Sequence, residues 1–160
     1  MGKIRLMRIV GITSTVPIEI MIAGGAIPCD LNNVFITHPE RRRLISEAEG
    51  FGFPLNLCSW IKGIFQVVRE KGIKEVVGVT RGDCSSTEKL LEIYNLLGVK
   101  RIAFSYPVER KAKELKKELE RFADEFGTNL KEAEKVRRRL ERIRRNLKRL
   151  DEMTWRDGVV

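Results

Sequence analysis

The sequence predicts an α/β fold: a parallel sheet in a three-layer domain, followed by an antiparallel helical hairpin. Three observations predict it. Short runs rich in Ile and Val alternate with helical stretches through the first part of the chain, the pattern of parallel strands joined by crossover helices. One of these runs, Glu75 to Thr80 (EVVGVT), is almost wholly apolar, as a strand covered on both faces must be. The last part of the chain then changes period, with apolar residues recurring at three- and four-residue steps.

The elements follow in order. Ile4 to Ile12 reads as the first strand, and Thr13-Ser14-Thr15 as a polar turn. Pro17 suits the opening of a helix, since its missing N–H costs nothing in a first turn; the helix runs through Glu19, Ile20, Met21 and Ala23 to Gly24-Gly25. Ala26 to Leu31 is a second strand, broken at Asn32-Asn33. Pro39 to Glu49 reads as a helix, Gly50, Gly52 and Pro54 as a loop, and Ser59 to Lys71 as a helix closed by Gly72. After the buried strand, the loop Arg81-Gly82-Asp83-Cys84-Ser85-Ser86 leads to a helix over Thr87 to Leu97, capped by Gly98. Lys100 to Ser105 is the next strand, stopped by Pro107. This order is that of flavodoxin- and Rossmann-like domains, in which ligands bind beyond the C-terminal ends of the strands.

Two stripes follow, Ala112, Leu115, Leu119, Phe122 and Phe126, then Ala133, Val136, Leu140, Ile143, Leu147 and Leu150. Asn129 with Glu132 makes a capping-box-like start to the second helix, and the short connection predicts antiparallel neighbours. The expected division is an α/β domain over residues 1–107, a basic hairpin over 108–153, and 154–160 as the start of a further, C-terminal half.

The net charge of +9 is concentrated, since residues 130–149 hold ten Lys/Arg against three Glu. The first hundred residues are nearly balanced, which argues against a uniformly basic nucleic-acid-binding surface. In the run Arg137-Arg138-Arg139 with Arg142, Arg144, Arg145, Lys148 and Arg149, the apolar stripe beneath makes the basic residues a solvated face, so nucleic acid is the lesser reading. Three cysteines, an odd number, argue against a secreted disulfide framework and for a reducing, cytoplasmic compartment. Lys3, Arg5 and Arg8 before an apolar stretch faintly suggest a signal peptide, but Pro17 and Glu19 interrupt it. No apolar run is long enough to span a bilayer, and Leu6 stands where a myristoylation signal needs Ser or Thr.

Any chemistry should centre on Cys58 and Cys84. Each sits where a helix begins, and there backbone N–H groups and the helix dipole favour anions. Near one end of one sheet the pair could share a metal or cluster. Without a Cys-x-x-Cys pattern, two unrelated buried thiols remain the competing reading.

Gly11-Ile12-Thr13-Ser14-Thr15-Val16-Pro17-Ile18-Glu19-Ile20, followed by Ala23-Gly24-Gly25-Ala26-Ile27-Pro28, resembles the N-terminal signature of the 2-hydroxyacyl-CoA dehydratase family, which includes the 2-hydroxyglutaryl-CoA dehydratase component D subunits and relatives of benzoyl-CoA reductase. The segments around Cys58 and Cys84 resemble its first two cluster-cysteine segments, in the same order, and Thr154-Trp155-Arg156 resembles the lead into the family's second half. The resemblance implies a [4Fe–4S] cluster with Cys58 and Cys84 as two ligands and a third from outside this segment. It implies an ATP-dependent activator protein that delivers one electron, and an acyl-CoA thioester that receives it as a ketyl radical. It also implies a lyase working as a homo- or heterodimer.

On that resemblance Thr13, Ser14 and Glu19 could line the substrate side of the first turn, since hydroxyls and helix N–H groups suit a thioester carbonyl or a CoA phosphate. The plainer alternative is an N-cap followed by an exposed helical Glu. Cys29 is expected in the core, and His38, the single histidine, on the surface. Trp60 and Phe65 are expected to shield the cluster side or to pack in the core.

Overall fold

A computed structural model describes residues 8–109 and 111–158. The expected strand residues Ile4–Met7, together with Lys3, Arg5 and the ending Val159-Val160, lie outside the described residues. The chain forms β1 (Arg8–Ile12), α1 (Ile18–Ala23), β2 (Ala26–Asp30), α2 (Leu31–Ile36), α3 (Arg41–Phe51), α4 (Ser59–Glu70), β3 (Glu75–Arg81), α5 (Ser85–Leu96), β4 (Lys100–Ser105), α6 (Ala112–Glu125) and α7 (Leu130–Asp157).

The four strands are parallel, in the order β2-β1-β3-β4. After β2 the chain crosses to the far side of β1, so the order reverses between β1 and β3. A crevice opens at such a reversal, because the connections leave the sheet in opposite directions.

Alternation along β3 builds the two faces. Val77 and Val79 join Val10, Ile102 and Phe104 against Ile20 and Met21 of α1 and Phe122 and Phe126 of α6. Val76 faces the other layer, with Ile64, Phe65 and Val68 of α4 and Leu90, Leu91 and Tyr94 of α5. Between them Gly78 lets α5 close on the sheet, since a Cβ there would lie 2.7 Å from Leu91 Cδ1. The Tyr94 hydroxyl, wholly buried, donates to the Ile64 carbonyl at 3.0 Å and ties α5 to α4. Each large apolar side chain so enclosed contributes roughly 1.5–3 kcal/mol, which is why the sheet is fixed by the pattern of its central strand.

Two expectations need correction. The chain does not break at Asn32-Asn33: Asp30 accepts from both their backbone N–H groups at 3.0 and 3.3 Å and starts α2 there. Gly50 is not in a loop but in the last turn of α3, which ends at Gly52 with φ of +118°. Asn129 caps α7 as expected, accepting from the Glu132 N–H at 3.0 Å. Ala133 and Val136 are buried, and α7 makes more of its contacts with α1 than with α6. Farther on, Ile143, Leu147 and Leu150 are exposed. Among the described residues no helix is long and apolar enough to cross a membrane.

Candidate functional site

At the reversal, a cleft of about 730 Å³ is lined by the ends of β1 and β2, the turn before α1, the starts of α4 and α5, and one side chain of α7. Cys58, Cys84, Thr13, Ser14 and Glu19 all lie on its wall. The structure thus brings together every residue singled out in the sequence as a candidate site residue.

Cys58 is the N-cap of α4 and Cys84 the N-cap of α5, and neither helix has a side-chain cap. No side chain among the described residues therefore occupies the N–H groups at these helix starts, although in α5 the Thr87 N–H donates to the Cys84 carbonyl at 3.0 Å. Both thiols are exposed, which overturns the alternative of two buried cysteines. Cys84 is brought to the rim by the turn at Gly82, whose φ of +90° only glycine adopts readily. Cys29 does not line the cleft; it is half-buried on β2 beside the α4 layer, where burial pushes its thiol pKa up and Lys71 partly offsets the shift.

Thr13 is buried, with its hydroxyl donating to the Val77 carbonyl at 3.5 Å. It ties β1 to β3 and does not cap α1, whose N-cap is Pro17, so the capping alternative fails. Ser14 is half-buried on the cleft wall. Glu19 is not an exposed helical carboxylate, because Arg144 of α7 donates to it and closes one end of the cleft.

Several wall residues escape sequence reading. The Asn32 amide donates to the Thr13 carbonyl at 2.9 Å and accepts from the Trp60 indole N–H, joining the β1 turn to the starts of α2 and α4. Trp60 stands edge-on to Phe35 at 5.5 Å. Asp30 and Asp83 add carboxylates to the rim. The signal for Asp30 and Asn32 is the Asp-Leu-Asn-Asn cap; no local signal exists for Arg144. Phe65 is a core residue, stacked near Phe53 and Tyr94. His38 departs from the surface expectation: its ring is largely covered, with Nδ1 accepting from the Glu40 N–H at 3.1 Å and Nε2 3.5 Å from Glu70.

Among the described residues, no group of three or more His, Cys, Asp or Glu side chains is placed to hold a metal ion. Thiolates are the donor type that iron–sulfur clusters take, and two are fewer than the three or four that such clusters need. Part of the basic run is used internally: Arg137 and Arg138 pair with Glu134, and Arg144 with Glu19.

A family model described as 2-hydroxyglutaryl-CoA dehydratase, D-component, matches residues 13–157. No curated protein matches the chain.

Proposed function

This chain belongs to the 2-hydroxyglutaryl-CoA dehydratase D-component family, and from that premise we propose that its cleft is the cluster-side half of a 2-hydroxyacyl-CoA dehydratase site. The carrying observation is that Cys58 and Cys84, the N-caps of two separate helices, line one cleft. In this reading they ligate a [4Fe–4S] cluster, and the third thiolate comes from outside residues 1–160. Cys29, away from the cleft, is not that ligand. When bound, the cluster supplies one-electron transfer to an acyl-CoA thioester, its electron delivered by an ATP-dependent activator protein, in a homo- or heterodimeric cytoplasmic enzyme.

The chain's own residues hold and shield. The N-terminal ends of the α4 and α5 dipoles favour negative charge at the thiolates. Trp60, Ile61 and Ile64 add apolar surface to the cleft beside the thiols. Ser14 offers its hydroxyl to the thioester carbonyl or to a CoA phosphate, while Thr13 fixes the turn that presents it. Glu19, held by Arg144, shapes the substrate end.

Anaerobic reconstitution with iron and sulfide, with a small thiol to complete the coordination, tests the reading. Bound iron should fall in both Cys58→Ser and Cys84→Ser and stay unchanged in Cys29→Ser. Unchanged iron in the first two would overturn it.

A further inference from the structure

Cys58 stands at the end of a segment with little to hold it. Pro54, Leu55 and Asn56 are exposed, between Phe53, buried against Phe65, and Leu57, half-buried on the same core. Within this stretch the turn from the Leu57 N–H to the Pro54 carbonyl, at 3.0 Å, is local and does not fix the segment to the body of the domain. Among the described residues, the side-chain hydrogen bond that ties the segment's exposed part to the body comes from Lys62. Its side chain is only 2% exposed, its ammonium donates to the Leu55 carbonyl at 3.1 Å, and it lies 2.6 Å from the carboxylate of Glu49 on α3.

A buried ammonium is costly unless paired, and replacing such a pair with apolar groups is often neutral or stabilising. Stability alone is therefore a poor account of a lysine at this position. Geometry gives a better one. Lys62 lies on α4 one turn after Cys58, and its backbone N–H donates to the Cys58 carbonyl at 3.3 Å in the helix's first bond. Its main chain fixes the helix start while its side chain fixes the loop that enters it, and both are braced against α3 through Glu49.

We infer that Lys62, braced by Glu49, is a positioning residue that holds the loop at Leu55 and thereby sets where the Cys58 thiol sits on the cleft wall. The inference rests on the proposed role of Cys58 as a ligand, but its physical content, the placement of that thiol, is measurable without any cluster. Cys84 enters from α5 and is not joined to this strut, so it serves as the internal reference.

The experiment compares alkylation rates of Cys58 and Cys84 by iodoacetamide in the folded, cluster-free full chain, at one fixed pH, with peptide mapping. Lys62→Met keeps the length and removes the donor. It should change the Cys58 to Cys84 ratio by about threefold or more as the loop opens locally, with Cys84 unchanged and the circular dichroism retained. Glu49→Gln keeps shape and one acceptor, and should move the ratio in the same direction by less; it decides the matter if Lys62→Met does not fold. An unchanged ratio in a folded variant, or equal changes at both thiols, would overturn the inference. Iron reconstitution separates the two readings. If Cys58→Ser retains iron while the strut variants shift the ratio, the cluster assignment falls and the positioning of Cys58 stands; if Cys58→Ser loses iron and the ratio is fixed, the reverse holds.

Discussion

Glu19 on α1 and Arg144 on α7 lie 125 positions apart in sequence and form an ion pair at one end of the cleft. Arg144 is 40% exposed and Glu19 16%, so solvent and salt screen the pair. A double-mutant cycle with Glu19→Ala and Arg144→Ala, followed by urea unfolding, should return a coupling of about 0.5–1 kcal/mol at low salt and less at high salt. A coupling of zero at low salt would mean that apolar packing around Leu130 and Ala133, and not this ion pair, seats α7.

The three thiols should differ in reactivity. Burial raises the Cys29 pKa, so at a given pH less of it is thiolate, and its access is also restricted. At about pH 8, iodoacetamide should modify Cys58 and Cys84 first and Cys29 about tenfold more slowly. Mass mapping over a time course reads this directly, and equal rates at all three would contradict the packing of Cys29 on β2.

What could be read without coordinates follows from the range of the forces involved. β3 was legible because an apolar run covered on both faces leaves few alternatives, and the edge strand β4 because Gly98 and Pro107 bracket it: Lys100 to Ser105 matches β4 end for end. Cys84 was legible as a cleft residue because it stands between the end of β3 and the start of α5, whereas Cys58 follows α3 and reaches the cleft only through the packing of α4. α2 was not, because two consecutive asparagines are statistically a break, and only the Asp30 carboxylate bonding to both their N–H groups turns them into a helix start. With α2 went Asn32 and its link to Trp60. Arg144 was hidden among similar arginines, since what distinguishes it is a carboxylate on the other side of the fold. Lys62 was hidden for the opposite reason, as a lysine on an amphipathic helix is ordinarily solvated, and burial is a property of the neighbours.

Acid should weaken the tie between β1 and β3 through Glu75. Arg8 donates to both its carboxylate oxygens at 2.8 and 2.6 Å and holds the carboxyl pKa below the ordinary 4.5, against the opposing effect of burial. A depressed pKa means that the pair's stabilisation is fully present above the unfolded-state value and is lost as the pH falls through the folded one. Stability measured by urea unfolding should therefore decline between about pH 5 and pH 3, and Glu75→Gln should flatten part of that decline while lowering stability at neutral pH. Glu118 contributes in the same direction: burial raises its pKa, but Arg121 and the Ser105 N–H more than offset that. An identical pH slope in Glu75→Gln and the parent would show that the Arg8 pair carries none of it.

Gly63 makes the sharpest packing prediction near the site. It lies on α4 directly over Phe35 of α2, and a Cβ there would fall 2.1 Å from the ring's Cε2 and 2.3 Å from Cδ2. The ring has little room to yield, since it is 3% exposed and meets Trp60 edge-on, while Trp60 is itself bonded to Asn32. On an exposed helix face, Gly→Ala would gain up to about 1 kcal/mol of helix propensity. Here the clash should win, giving a net loss of about 1–3 kcal/mol. Because the chain has two tryptophans, a Trp155→Phe background leaves Trp60 as the sole reporter. In that background Gly63→Ala should shift the emission maximum along with lowering the unfolding midpoint, and adding Phe35→Leu should restore part of the stability by making room for the methyl group. If Gly63→Ala is as stable as its parent with unshifted Trp60 emission, α2 and α4 are not packed as closely as described, and the cleft wall built from Asn32 and Trp60 loses its foundation.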